Sequence, residues 1–231
     1  MRRTSADEAP GIQALAETVQ LSDLPDQVAG QPILGLSSDT LGPAAFEASG
    51  SFLLCGPPLS GRTTALHTLS LALLRQDPNI QLHYFGNLRS RLATLPFWTS
   101  TSSPSDAAEG AATIHTSVLD GPPQAVFIEN VADFVNTPAD MPLQTLIKLV
   151  NAEGGFVVVE GESSGLTGTM GLLGLAKLSR AGLALSPDQG DGNLFRTNFP
   201  RMNPNERLPG RGLLIRAGRT EVVQVALPLQ P

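Results

Sequence analysis

The chain has 231 residues, and its 15 Lys and Arg against 21 Asp and Glu leave a formal charge of −6, which excludes a globally basic nucleic-acid coat. With 41% hydrophobic and 16% charged residues, a chain of this length can bury roughly 70% of its unfolded surface, which excludes disorder throughout. A single cysteine, Cys55, excludes an intramolecular disulfide and a thiol-held zinc or iron–sulfur centre, so a reducing, cytoplasmic setting is expected.

Met1-Arg2-Arg3 is followed by no apolar run, so it does not read as a signal peptide. The longest apolar stretches, residues 71–74 and 171–176, fall short of the roughly 18 residues that cross a bilayer, and membrane association would have to come through a partner or another part of a longer chain. Residues 1–30 are acidic and rich in turn formers, with apolar positions at Ile12, Leu15, Val19, Leu21 and Leu24, and are expected to form an arm lying on the body of the protein. Residues 31–231 read as one domain, opening with short β pieces and turns over 31–50.

Residues 51–55, Ser-Phe-Leu-Leu-Cys, predict a buried strand, and Ala65, Leu69, Ala72 and Leu73 recur at helical spacing over 62–75. Residues 80–85 predict a second strand. A Ser/Thr/Pro loop over 99–105 leads to a helix with Ser105 as its cap and Asp106 and Glu109 in its first turns. Residues 124–128 are almost wholly apolar and predict a strand buried on both faces. A helix over 142–151 and a buried strand over 155–159 follow, and strands over 213–216 and 222–227 read as a hairpin around residues 217–220. Buried strands alternating with amphipathic helices predict an α/β fold: a mainly parallel sheet with helices on both faces.

Between the first strand and helix, Gly56-Pro57-Pro58-Leu59-Ser60-Gly61-Arg62-Thr63 fits G-x-x-x-x-G-[K/R]-[T/S]. Such a loop turns backbone N–H groups inward and aims a helix N-terminus at phosphate oxygens, so Gly56, Pro57, Ser60, Gly61, Arg62, Thr63 and Thr64 are the candidate nucleotide-binding residues. Thr63 would ligate Mg²⁺ through its hydroxyl. Arg62 stands at the lysine position, where a wide planar guanidinium fits a slot made for a compact ammonium poorly.

A P-loop site needs acidic residues at the end of a buried strand. Here Glu129 and Asn130 follow Ile128: Glu129 can hold Mg²⁺ and is the one catalytic candidate, whereas Asn130 cannot act as a base. Taken alone, the pair reads equally as a polar strand end. Glu162, in Glu160-Gly161-Glu162-Ser163, would repel phosphate and reads as structural. His67, His83 and His115 lack ligand spacing. From Arg196 to Arg219 six arginines face one acid, Glu206, with Arg207 and Arg211 in the most specific piece; this basic stretch is open to DNA phosphates, an acidic neighbouring domain, nucleotide in trans, or plain solvent.

Taken in order, these pieces resemble the FtsK/SpoIIIE family of P-loop ATPases, and more closely the ATPase modules of EccC-type components of type VII secretion. The resemblance covers nearly the whole chain. It is carried by Leu24-Pro25 with Pro32-Ile33-Leu34-Gly35-Leu36, the degenerate Walker A motif 56–64, the degenerate Walker B motif 127–130, the Leu178 to Asp188 region, and Leu208-Pro209-Gly210-Arg211-Gly212 with Val223-Gln224-Val225-Ala226-Leu227-Pro228. The resemblance implies a RecA-like three-layer αβα P-loop domain that packs against sister ATPase domains, in hexameric rings. It also implies ATP and Mg²⁺ as ligands with weak or no hydrolysis, and a regulatory role or the docking of WXG-type substrate tails. The alternative is an ATPase domain of a double-stranded DNA translocase, disfavoured by the charge of −6.

Overall fold

The computed structural model describes residues 15–119, 121–203 and 207–228. The readings placed on Ile12 and on Glu206 lie outside those residues. Among the described residues, eleven strands build one sheet: β1 (Gln27–Val28), β2 (Gln31–Ser37), β3 (Pro43–Ala45), β4 (Gly50–Gly56), β5 (Gln81–Phe85), β6 (Ser100–Ser102), β7 (Gln124–Ile128), β8 (Phe156–Glu162), β9 (Gly182–Leu185), β10 (Arg211–Arg216) and β11 (Arg219–Val225). Four α-helices of the described residues pack on it, α1 (Arg62–Gln76), α2 (Ala107–Ser117), α3 (Asp140–Ala152) and α4 (Gly171–Ala176). None is long and apolar enough to cross a membrane.

The sheet runs β1-β2-β11-β10-β9-β4-β8-β7-β5-β6, with β3 also paired to β2. From β9 to β6 every pairing is parallel, and from β9 through β10, β11 and β2 to β1 every pairing is antiparallel. This is the expected mainly parallel centre, extended by an antiparallel wing. Helix α1 covers one face through Ala65, Leu66, Leu69, Ala72 and Leu73, against Phe52, Leu54, Phe127 and Phe156. Helices α2, α3 and α4 cover the other through Ile114, Leu143, Ile147 and Leu172. With helices on both sides, β7 has no solvent face, and all five of its residues are buried.

Several elements differ from the sequence reading, each for a physical reason. Residues 100–102, read as loop, form the edge strand β6, because an edge strand needs one partner, β5, and no apolar pattern. The helix read as capped by Ser105 begins one residue later, with Asp106 at its N-cap and no side-chain cap; the Ser105 hydroxyl bonds to Ser103 and Asp106 instead. The hairpin of β10 and β11 closes in two residues, Ala217 and Gly218, both at positive φ, with Arg216 paired to Arg219. Strand β9 is short and gave no strand signal of its own. It is possible because Gly182 carries no Cβ, which would stand 2.2 Å from the Leu53 carbonyl oxygen. Strand β8 runs past Val159 to Glu162, so Glu160 and Glu162 are strand residues paired opposite Leu54 and Gly56.

The N-terminal segment from residue 15 is tied to the antiparallel wing. Leu21 donates its N–H to the Leu227 carbonyl, and Leu21 and Leu24 pack with Ile33 and Ala226. Arg75, near the end of α1, bonds the Leu24 carbonyl at 2.7 Å and pairs with Asp26 at 2.5 Å.

Candidate functional site

The pleat of the sheet assembles the site. Along β5, β7 and β8 alternate residues face α1: Leu82 and Tyr84, Ala125 and Phe127, Phe156 and Val158. Two residues beyond Phe127 comes Glu129, and two beyond Val158 comes Glu160, so the period carries Tyr84, Glu129 and Glu160 to the C-terminal edge on the face where α1 begins. There Glu129 and Glu160 line an open cleft of about 480 Å³ with Arg62, Thr63, Arg89 and Glu162, and Tyr84 lies buried beneath Glu129.

The loop from Gly56 to Gly61 joins β4 to α1 as the motif requires. Leu59 at its apex has φ +65° and is 95% exposed, and Gly61 caps α1 at φ +99°. Neither conformation suits an L residue, and Gly61 has a second constraint: a Cβ would lie 3.0 Å from the Gly210 nitrogen, whose N–H donates to the Ser60 carbonyl at 2.8 Å. Gly61→Ala is therefore expected to lose about 1–2 kcal/mol of stability from the left-handed backbone, read as a lower urea midpoint at unchanged slope. An unchanged midpoint would show that the loop relaxes freely.

Arg62, the first residue of α1, lines the cleft but is tied down by a carboxylate. Its Nη1 donates to Glu160 Oε1 at 2.5 Å, with the Arg62 side chain 21% and the Glu160 side chain 4% exposed. Glu160 Oε2 accepts the Asn130 N–H at 2.7 Å, Asn130 being turned toward it at φ +51°. Burial pushes the Glu160 carboxyl above the usual carboxylate range, against the pull of Arg62 and the Asn130 amide. Glu129 accepts a short hydrogen bond from the Tyr84 hydroxyl, and burial together with Glu129 raises the Tyr84 phenol. Cys55, buried beneath the loop, has its thiol pushed up to about 12, so it is an inert apolar side chain.

Of the candidate residues, Gly56, Pro57, Ser60, Gly61, Arg62, Thr63 and Thr64 lie together on the loop and the first turn of α1. Glu129, Asn130 and Glu162 line the same cleft, Glu162 accepting the Ser164 hydroxyl at 2.6 Å. Arg207 and Arg211 lie elsewhere. Arg207 pairs with Asp188 at 2.6 Å, and Arg211 is buried, bonding Gln224 Oε1 at 2.8 Å and the Ala16 carbonyl at 2.8 Å. Arg216 pairs with Glu221, and Arg196, Arg201 and Arg219 are exposed.

A magnesium–triphosphate fits this arrangement poorly. Pro57 and Pro58 have no N–H to offer phosphate. The guanidinium at the lysine position is held by Glu160, the carboxylate of Glu129 is engaged by Tyr84, and Glu129, Asp133, Glu160 and Glu162 outnumber Arg62 and Arg89 around the cleft. Among the described residues no group of three or more His, Cys, Asp or Glu could hold a metal ion. Sequence reasoning missed Tyr84 and the role of Glu160. The strand alternation from Val158 was the available signal for Glu160, while the Tyr84 contact depends on pairing between β5 and β7.

Strand, glycine loop and helix on a parallel sheet covered on both faces define a P-loop ATPase fold of the RecA-like, three-layer kind. No family model and no curated protein matches the chain. Among solved structures it is similar to the cytoplasmic domain of the Thermomonospora curvata type VII secretion ATPase EccC, with a TM-score of 0.73 and 17% identity over 98% of this chain and 30% of that one. It is similar also to Thermomonospora curvata EccC (ATPases 2 and 3) in complex with a signal sequence peptide, at 0.75 and 18% over 96% and 45% of the two chains. The pCW3 conjugation coupling protein TcpA with ATPγS follows at 0.62 and 12%, over 92% and 70%. The chain thus has the fold of EccC ATPase domains and spans less than half the length of the two EccC chains.

Proposed function

We propose that the chain is a degenerate P-loop module of an FtsK/SpoIIIE-like motor of the EccC kind, acting in regulation or substrate docking with weak or no hydrolysis of its own. In this reading residues 31–231 are a single module, residues 1–30 are an arm packed on it, and the module works at the cytoplasmic side of a membrane through other domains. The observation that carries it is the retained loop between β4 and α1 whose basic residue, Arg62, is committed to Glu160 at 2.5 Å. The second of the EccC structures, with two ATPase units and a signal sequence peptide, supports sister ATPase domains and WXG-type substrate tails as the partners.

The alternative, an ATPase domain of a double-stranded DNA translocase, is the second reading; the pairing of Arg207, Arg211 and Arg216 within the protein weighs against it. Duplex DNA is expected not to bind at about 50 mM salt, and binding that fell steeply with salt would restore that reading.

The test of the module's role is phosphate release from MgATP by the wild type beside Thr63→Ala, together with anisotropy of a labelled substrate-tail peptide. Equal, background-level release and saturable peptide binding are expected. Turnover that disappears in Thr63→Ala would overturn the reading.

A further inference from the structure

The basic side chain at the head of α1 and the Asn130 amide beside it, two groups that could receive an anion from outside, already face a carboxylate from inside. Glu160 uses both of its oxygens, Oε1 for the Arg62 guanidinium at 2.5 Å and Oε2 for the Asn130 N–H at 2.7 Å. Its side chain, 4% exposed, reaches this point from β8, the strand that pairs directly with the one leading into the loop. What remains of the loop is built for a polar guest. The 15-residue α1 starts without a side-chain cap, leaving its first N–H groups toward the loop. The Ser60 hydroxyl is buried without a partner and lies over Gly56, where a Cβ would be 2.5 Å from its oxygen.

We propose that Glu160 is the residue that sets ligand specificity at this P-loop: it acts as a built-in anion that occupies Arg62 and the Asn130 amide, and thereby excludes polyphosphate. This deepens the proposed function and rests on it. The pairing opposite Leu54 places a carboxylate where the loop's positive charge would otherwise meet phosphate, and a second anion there would meet like-charge repulsion at short range. Neutralising Glu160 while keeping an acceptor for the Asn130 N–H frees Arg62, which is 21% exposed and can turn to a ligand. The site so opened consists of Arg62, the first N–H groups of α1, and the Ser60 and Thr63 hydroxyls. It would take a pyrophosphate or the phosphate tail of a nucleotide.

The experiment is calorimetric titration of inorganic pyrophosphate, and separately of MgATP, into wild type, Glu160→Gln and the double variant Glu160→Gln with Arg62→Met. Glu160→Gln is expected to bind pyrophosphate more than about tenfold tighter than wild type, the scale of one charge-assisted hydrogen bond made available. The double variant is expected to return to the wild-type level. Equal affinity of wild type and Glu160→Gln overturns the inference, and so does a gain that survives in the double variant, since it would then come from bulk charge. Should Glu160→Gln fail to fold by circular dichroism, Glu160→Met, uncharged and of similar volume, carries the same expectation. Thr63-dependent turnover in the wild type would strike the functional reading; an absent gain in a wild type without turnover strikes this inference alone.

Discussion

Arg62→Met is expected to lose about 3–5 kcal/mol of stability at pH 7, the cost of leaving a buried carboxylate without its cation. The Glu160 side chain is 4% exposed, and after the substitution only the Asn130 N–H would face its charge. The loss should shrink as the solution is acidified. Burial already raises the Glu160 carboxyl above its ordinary value and Arg62 opposes that shift, so removing Arg62 lifts it further. A group whose folded value lies above its unfolded one contributes stability that is full below the unfolded value and is lost as pH rises through the folded value. The gap between variant and wild type should therefore be widest near pH 7 and narrow toward pH 5. Urea unfolding at the two pH values measures it. A gap independent of pH would mean that the loss comes from packing of the arginine stem rather than from the stranded charge.

Phe127→Ala is expected to cost a similar amount, about 3–5 kcal/mol, as for large aromatic truncations in a close-packed core. Phe127 is fully buried in β7 and meets Trp98 edge-on, with ring centroids 5.3 Å apart, while Trp98 lies 5.3 Å from the Tyr84 ring. The same Tyr84 donates its hydroxyl to Glu129, so the cavity would loosen the floor of the cleft as well as the core. Trp98 is the single tryptophan, which makes its emission a direct reporter. A lowered urea midpoint with a red-shifted native emission is expected. A loss below about 1 kcal/mol would mean that the aromatic group collapses into the space without strain.

These two expectations rest on residues that differed in how readily they could be read from the chain. Arg62 was conspicuous, because it breaks a spaced pattern between an apolar strand and an amphipathic helix. Its partner was not. Glu160 and Glu162 sit two apart on one strand face, and the sequence reads Glu162 as structural without giving Glu160 any role. Strand β8 continues to Glu162, however, and the residue that reaches Arg62 is Glu160, opposite Leu54 in β4. Choosing between them requires the register of two strands separated by about a hundred residues in sequence, and side-chain periodicity alone does not supply register.

Arg211 shows the reverse case. Its neighbours Arg207, Arg216 and Arg219 made it part of a basic stretch, yet it is buried and bonded to Gln224 and to the carbonyl of Ala16 near the other end of the chain. A count of charges along a segment carries no information about which of them the fold turns inward. Strand β9 was illegible for a related reason. At four residues, Gly182–Leu185, it is too short for a periodicity to emerge, and it exists because β4 and β10 flank it.

The sequence by itself determined the α/β class, the αβα layering, the position of the P-loop and the two departures from its pattern, at Arg62 and at Glu129-Asn130. Those features are local: apolar runs of strand length, helical spacing and glycine placement act within a few residues of one another. Only the tertiary structure decided that the loop's arginine is closed by Glu160, that Glu129 is taken by Tyr84, that Gly210 holds the Ser60 carbonyl, and that Arg207, Arg211 and Arg216 are paired within the protein. Each of those depends on non-local strand order and register, where the energy of a charge is set by which partner the packing brings within hydrogen-bond reach.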